Sequence, residues 1–126
     1  MRSWLKPSKA REMSATEAAW LAGFIDGEGT ISSCMAGRDR KYKTWLISVP
    51  NTHFGSLDRC VEITGAGYVL KKTEGRDERR KPQNQWRVTA QRDIYEICRQ
   101  IRPYCVIKGE QIDAFINEWV DIKVAA

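Results

Sequence analysis

Histidine is almost absent from this chain, and cysteine is sparse and unpaired. The single histidine, His53, and four cysteines, Cys34, Cys60, Cys98 and Cys105, are scattered through 126 residues without a CxxC pair. A zinc ribbon or an HNH-type metal site needs such ligands at short spacing, so both are excluded, and the thiols read as reduced and structural. No apolar run reaches bilayer-spanning length, and the N-terminal residues lack the apolar centre of a secretory signal. A soluble intracellular protein with no membrane partner is expected. Repeats and low-complexity tracts are missing too, and the length suits one domain with a core of its own. Acidic residues are the minority charge: 21 Lys and Arg stand against 16 Asp and Glu, a formal charge of +5. A polyanionic partner suits that balance.

The basic residues are also clustered. Arg38, Arg40, Lys41 and Lys43 form one group and Lys71, Lys72, Arg76, Arg79, Arg80 and Lys81 another, both beside expected strand ends. Residues 1–13 are polar and contain Lys6-Pro7-Ser8-Lys9, which reads as a mobile or DNA-tracking arm ahead of a single domain over 14–126.

The run Leu21-Ala22-Gly23-Phe24-Ile25-Asp26-Gly27-Glu28-Gly29 carries the most information. Ser14 and Glu17 have the spacing of a capping box, which starts a helix here. Ala19, Gly23 and Asp26 or Gly27 recur at helical spacing, so one stripe of that helix bears almost no side chain and a second backbone can approach it. Leu21, Phe24 and Ile25 anchor its other faces. Gly27 and Gly29 end the helix and leave Glu28 at its tip, with Asp26 two residues away. Carboxylates at a helix C-terminus are unfavourable unless a cation or a basic partner relieves them.

Period-two alternation then predicts strands over Thr30 to Ala36, with Ile31 and Met35 inward, and over Tyr42 to Val49, with Trp45, Ile47 and Val49 inward and Pro50 as the stop. A helix from Phe54 to Ile63 buries Leu57, Cys60 and Val61. Tyr68 to Lys72 reads as a third strand, Glu74 to Gln83 as a long hairpin loop, and Gln85 to Ala90 as a fourth strand with Trp86, Val88 and Ala90 inward. Ile94, Ile97, Cys98 and Ile101 form the stripe of a helix ended by Pro103. Lys108 begins the last helix, with Ile112, Phe115, Ile116, Trp119 and Val120 on one stripe. The order αββαββα gives an α+β fold, an antiparallel sheet with helices on one face.

The nine-residue run closely resembles the signature of the LAGLIDADG homing endonucleases, with Phe24 for Leu, Gly27 for Ala and Glu28 for Asp. Asn51-Thr52, the stretch Ile63-Thr64-Gly65-Ala66-Gly67-Tyr68-Val69, and Arg102-Pro103-Tyr104 leading to Lys108 are similar landmarks. The resemblance spans about Ser14 to Val124. It implies the LAGLIDADG homing endonuclease fold with a saddle-shaped sheet. One motif implies a homodimer packed through Ala19, Gly23, Asp26 and Gly27. The implied activity is site-specific, metal-dependent cleavage of both strands of a long near-palindromic DNA target, by an enzyme encoded within an intron.

By the same resemblance Glu28 is the metal ligand, aided by the Gly27 carbonyl, and Mg²⁺ is the ion, with Mn²⁺ able to substitute. Hard ions of this kind take oxygen ligands and activate water for phosphodiester hydrolysis. Lys108 matches a basic catalytic residue. Asn51 aligns with a polar residue that orients water, with an N-cap for the following helix as the nearly equal alternative. The outward strand positions Ser32, Cys34, Thr44, Leu46, Ser48, Tyr68, Leu70, Lys72, Gln85, Arg87 and Thr89 would enter the major groove. Arg38, Arg40, Lys43, Arg79 and Arg80 would add cationic contacts to double-stranded DNA. Two alternatives share the fold: a catalytically inactive DNA-binding regulator, against which Glu28 and Lys108 argue, and an RNA-binding intron maturase. His53 and Trp4 receive no assigned role.

Overall fold

A computed structural model describes residues 7–72 and 82–125. Within them the elements follow as α1 (Ala15–Glu28), β1 (Thr30–Ala36), β2 (Tyr42–Asn51), α2 (Phe54–Thr64), β3 (Tyr68–Lys72), β4 (Gln83–Val88), α3 (Gln91–Ile101) and α4 (Gly109–Ala125), with a 3₁₀ turn, Arg102–Tyr104, before α4. The expected αββαββα order is present, and α4 continues it. The four strands form one antiparallel sheet in the order β1-β2-β4-β3.

Alternation along the strands decides which face is covered. Ile31, Trp45, Ile47, Val49, Trp86 and Val88 are buried beneath the helices, which contribute Leu21, Ile25, Leu57, Ile63, Ile94, Ile97, Ile101, Ile112 and Phe115 to the same core. Helix α1 begins as its sequence requires: Ser14 accepts from the Glu17 N–H, and the Glu17 carboxylate accepts from the Ser14 N–H. Both reciprocal bonds of the capping box are made. Gly67, with φ +80°, shows why glycine precedes β3, since a Cβ there would lie 2.6 Å from the Arg87 carbonyl and from Trp86 Nε1.

Several local expectations are corrected. Met35 points to the helix side but is 51% exposed, on the outer edge strand of the sheet. Pro50 does not stop β2; it pairs with Gln85, on a stretch where β1 has already ended its pairing at Thr30 and Ser48. With one flank free, a residue lacking an N–H is tolerated. In α2, Ile63 is buried while Val61 packs half-buried at the edge of the core. Strand β4 begins at Gln83 and ends at Val88, leaving Thr89 in a connection and Ala90 as the N-cap of α3. Beyond that point Gln91 substitutes for the missing strand: its amide accepts from the Trp45 N–H and donates to the Trp45 carbonyl, each at 2.9 Å.

The residues of the supposed arm that are described are tied down. Ser8 and the Lys9 N–H donate to Asp93 at 2.8 and 2.7 Å. The Arg11 N–H donates to the Thr64 carbonyl at 2.8 Å, and the Met13 N–H to Gln100 at 2.6 Å. Trp4 and the segment 73–81 lie outside the described residues, as do the side chains of Lys72 and Val120.

Candidate active site and nucleic-acid interface

The stripe of small residues on α1 is uncovered. Ala19, Gly23 and Gly27 are exposed, and a Cβ built on Gly23 or Gly27 would meet nothing within 4 Å. Trp20, 40% exposed, stacks on Phe24 beside this stripe with ring centroids 5.1 Å apart. Asp26 belongs to a different contact. Its carboxylate turns inward and accepts from three successive backbone N–H groups, those of Val106 at 2.8 Å, Ile107 at 3.1 Å and Lys108 at 2.9 Å.

That clamp is the main feature sequence reading missed. It resolves the conflict of an acidic group at a helix C-terminus with neither an ion nor a basic side chain in the leading role. Burial alone would raise the Asp26 pKa, but the N–H groups of Val106, Lys108 and Ile107, with the charge of Lys108, outweigh it and hold the carboxyl below its ordinary value. The signal in the sequence was the buried-polar requirement itself, since an Asp on the inner side of a helix must find donors. Which donors it finds depends on a loop 80 residues away.

The clamp has two consequences for position. It fixes the loop that starts α4, so the backbone of half-buried Lys108 is bonded to the last turn of α1, two residues from exposed Glu28. It also leaves Val106 and Ile107 standing out, 87% and 65% exposed. The other side of this loop is held by Arg102, whose guanidinium grips Asp113 of α4 at 2.7 and 2.9 Å. Among the described residues no group of three or more His, Cys, Asp or Glu is gathered as a metal cluster. Buried thiols are protonated: desolvation pushes Cys60 up to about 12 and Cys105 to about 11.

Asn51 lies at the end of β2 on the helix-facing side, opposite Asn84. It does not cap α2. Its Oδ1 accepts from the His53 N–H at 2.8 Å, and His53 is the cap, with Nδ1 accepting from the Ser56 N–H at 3.1 Å. His53 is therefore a structural residue at a turn.

The face of the sheet away from the helices carries Ser32, Cys34, Thr44, Leu46, Tyr68, Leu70, Gln85 and Arg87, as the pairing register requires. Ser48 shares that face but is only 7% exposed. Arg38 and Arg40 are exposed in the β1–β2 turn. Thr89 is exposed beyond the end of β4. Lys43 is corrected: it lies on the helix side, bonded to Glu118 of α4, and its ammonium sits 5.3 Å from the Trp45 ring centre. Trp45 Nε1 donates to the other Glu118 oxygen at 2.7 Å, so Lys43 and Trp45 together moor α4 to β2. Arg79 and Arg80 lie outside the described residues.

The arrangement of these helices and the four-stranded antiparallel sheet is shared with solved structures. The homing endonuclease I-CvuI, solved in complex with its DNA target in the presence of calcium, superposes with a TM-score of 0.66 at 22% identity over 79% of this chain. The chain has the LAGLIDADG homing endonuclease fold. Another protein with that fold, the homing endonuclease I-TnaI, matches with a TM-score of 0.68 at 15% identity, covering 91% of this chain and 77% of its own. The meganuclease I-SmaMI, solved on uncleavable DNA, gives 0.68 at 20% identity over 86% of this chain. The chain spans 62% of the length of I-CvuI and 38% of that of I-SmaMI. No protein-family model and no curated protein sequence matches it.

Proposed function

We propose that the chain is a site-specific DNA endonuclease of the homing type, acting as a homodimer on a long near-palindromic target. The observation that supports this most directly is the Asp26 clamp, which holds Lys108 at the same helix end as Glu28. A carboxylate and a basic residue carried on elements that this clamp joins, on a domain with an open sheet face, are the kinds of group that phosphodiester hydrolysis asks for.

In this reading Glu28 and the Gly27 carbonyl hold Mg²⁺, with Mn²⁺ as a substitute. Both present exposed oxygen donors, which suits a hard ion that keeps several waters and takes further oxygens from DNA phosphates. When bound, the ion supplies an activated water and neutralises charge on the phosphate. Lys108 stabilises the phosphate oxygens as negative charge builds on them. The uncovered small-residue stripe of α1 is the surface a second copy would pack on, bringing two Glu28 side chains toward one target, and exposed Trp20, Val106 and Ile107 are apolar area such a copy can cover. Asn51, already bonded to His53, is a weaker candidate for orienting water. Encoding within an intron is part of the same proposal.

Glu28→Gln tests the assignment. It removes the ligand charge and leaves the sheet untouched, so cleavage of a selected DNA site with Mg²⁺ should fall at least about a hundredfold while affinity for that site stays within about threefold. Equal cleavage by the variant would remove Glu28 from the mechanism. Retained binding with no cleavage by the wild-type protein would favour the inactive regulator, and selection of structured RNA over DNA the maturase.

A further inference from the structure

We infer that Gln85 is a base-reading residue selective for adenine and that Ser48 is the positioning residue that fixes its amide. The inference rests on the proposed reading of the outer sheet face as a DNA-binding surface. On that face Gln85 of β4 stands between Pro50 of β2 and Leu70 of β3, its direct neighbours in the ladder. Neither has a polar side chain to offer. Its bond is diagonal: Gln85 Nε2 donates to the Ser48 hydroxyl.

Ser48 itself is too deep to meet a groove, at 7% exposure. Its pairing neighbour Arg87 sits beside it on β4. The Ser48 hydroxyl is therefore an interior anchor under a half-buried amide. A carboxamide has two N–H donors and one acceptor oxygen. With one N–H given to Ser48, the exposed part of Gln85 carries one donor and one acceptor, the pattern that pairs with N7 and the N6 amino group of adenine in the major groove. The Ser48 hydroxyl, able to accept from Nε2 or to donate to Oε1, holds the amide in one place and plane on the sheet, and loss of that hold is what removing the hydroxyl would do.

Arg87 provides a contrast on the same strand. Its Nε is buried with no hydrogen-bond partner among the described residues, whereas the Gln85 amide is held by Ser48 before contact. Preorganisation of this kind cuts the ordering cost of the matching contact and so favours the base that makes it.

The experiment is selection from a randomised double-stranded DNA library by the full wild-type chain and by Gln85→Ala, Ser48→Ala and Ser48→Thr, each checked for unaltered thermal unfolding. Wild type should prefer adenine at one position in each half-site, by about 5- to 150-fold for a bidentate contact. Gln85→Ala should lose that preference, and Ser48→Ala should lose most of it at the same position, with affinity for sites lacking that adenine changed by less than about threefold. Ser48→Thr keeps the hydroxyl and should restore the preference. If Ser48→Ala retains adenine selection that Gln85→Ala loses, or Ser48→Thr fails to restore it, Ser48 does not position Gln85. If no position depends on Gln85 although a site is selected, the inference fails while the endonuclease reading stands. If wild type selects no DNA site at all, both fail.

Discussion

Replacing Asp26 by alanine tests the link between the helix that carries Glu28 and the loop that carries Lys108. The carboxylate accepts from the N–H groups of Val106, Ile107 and Lys108 at 2.8, 3.1 and 2.9 Å. A hydrogen bond to a charged group contributes about 1.5 to 3 kcal/mol. Val106 and Ile107 are exposed, so in the variant water reaches their N–H groups and most of those two contributions is recovered. The Lys108 bond is half-buried and is lost nearly in full. A net loss of about 2 kcal/mol follows, which for a domain of this size lowers the melting temperature by about 8 °C. Asparagine divides the effect. One Asp26 oxygen serves Ile107 and Lys108 and the other serves Val106, so an amide can keep the first pair and must oppose the Val106 donor with its own. Thermal unfolding followed by circular dichroism should rank wild type above Asp26→Asn above Asp26→Ala. Cleavage should fall further than stability explains, because Lys108 is displaced. A melting temperature for Asp26→Ala within 2 °C of wild type would refute the clamp as a determinant of this end of the fold.

Gly23→Leu should separate folding from assembly. Nothing lies within 4 Å of a Cβ at Gly23, so the isolated subunit should gain up to about 1 kcal/mol in helix propensity, while sedimentation should show loss of the proposed dimer; a wild-type monomer with or without DNA would contradict the assembly. Acid should loosen α4 through Glu118. Burial opposes ionisation of that carboxyl, but its bonds to Lys43 and Trp45 and the Lys43 charge outweigh burial and lower the pKa below its ordinary 4.5. The stability it contributes is therefore intact above pH 4.5 and lost as pH falls through the lowered value. Glu118→Gln should unfold with a shallower pH dependence in that acid window, and an identical profile would dismiss the mooring.

Much of the fold was legible because its signals are local. The capping box at Ser14 and Glu17, the alternation through Trp45, Ile47 and Val49, and the stripe of Ile94, Ile97, Cys98 and Ile101 each need only a few neighbouring residues to be read. What was not legible depends on where elements end relative to one another. Met35 has the right phase to be buried but lies exposed on an edge strand, and Pro50 is tolerated because β1 has already ended beside it. The same limit applies to the site. Lys43 reads as one of a basic cluster, yet its parity on β2 points it to Glu118. Ser48 has the parity of the outer face and is covered there. Glu28 and Lys108 were found by resemblance to a motif, whereas the Asp26 contact that joins their elements required the three-dimensional path of the chain.

The stitching of residues 8–13 has a bearing on how the chain assembles in time. Ser8 and Lys9 find Asp93, and Met13 finds Gln100, across separations of 84 to 87 residues. None of these bonds can form on the ribosome until α3 has left the exit tunnel, so the segment 8–13, made before every element of the sheet, makes these bonds only after it. Until then its polar groups are solvated, and the edge of α3 that it will cover stays open. The segment works as a latch closed late, and closing it ties the stretch ahead of α1 to a helix made only after all four strands.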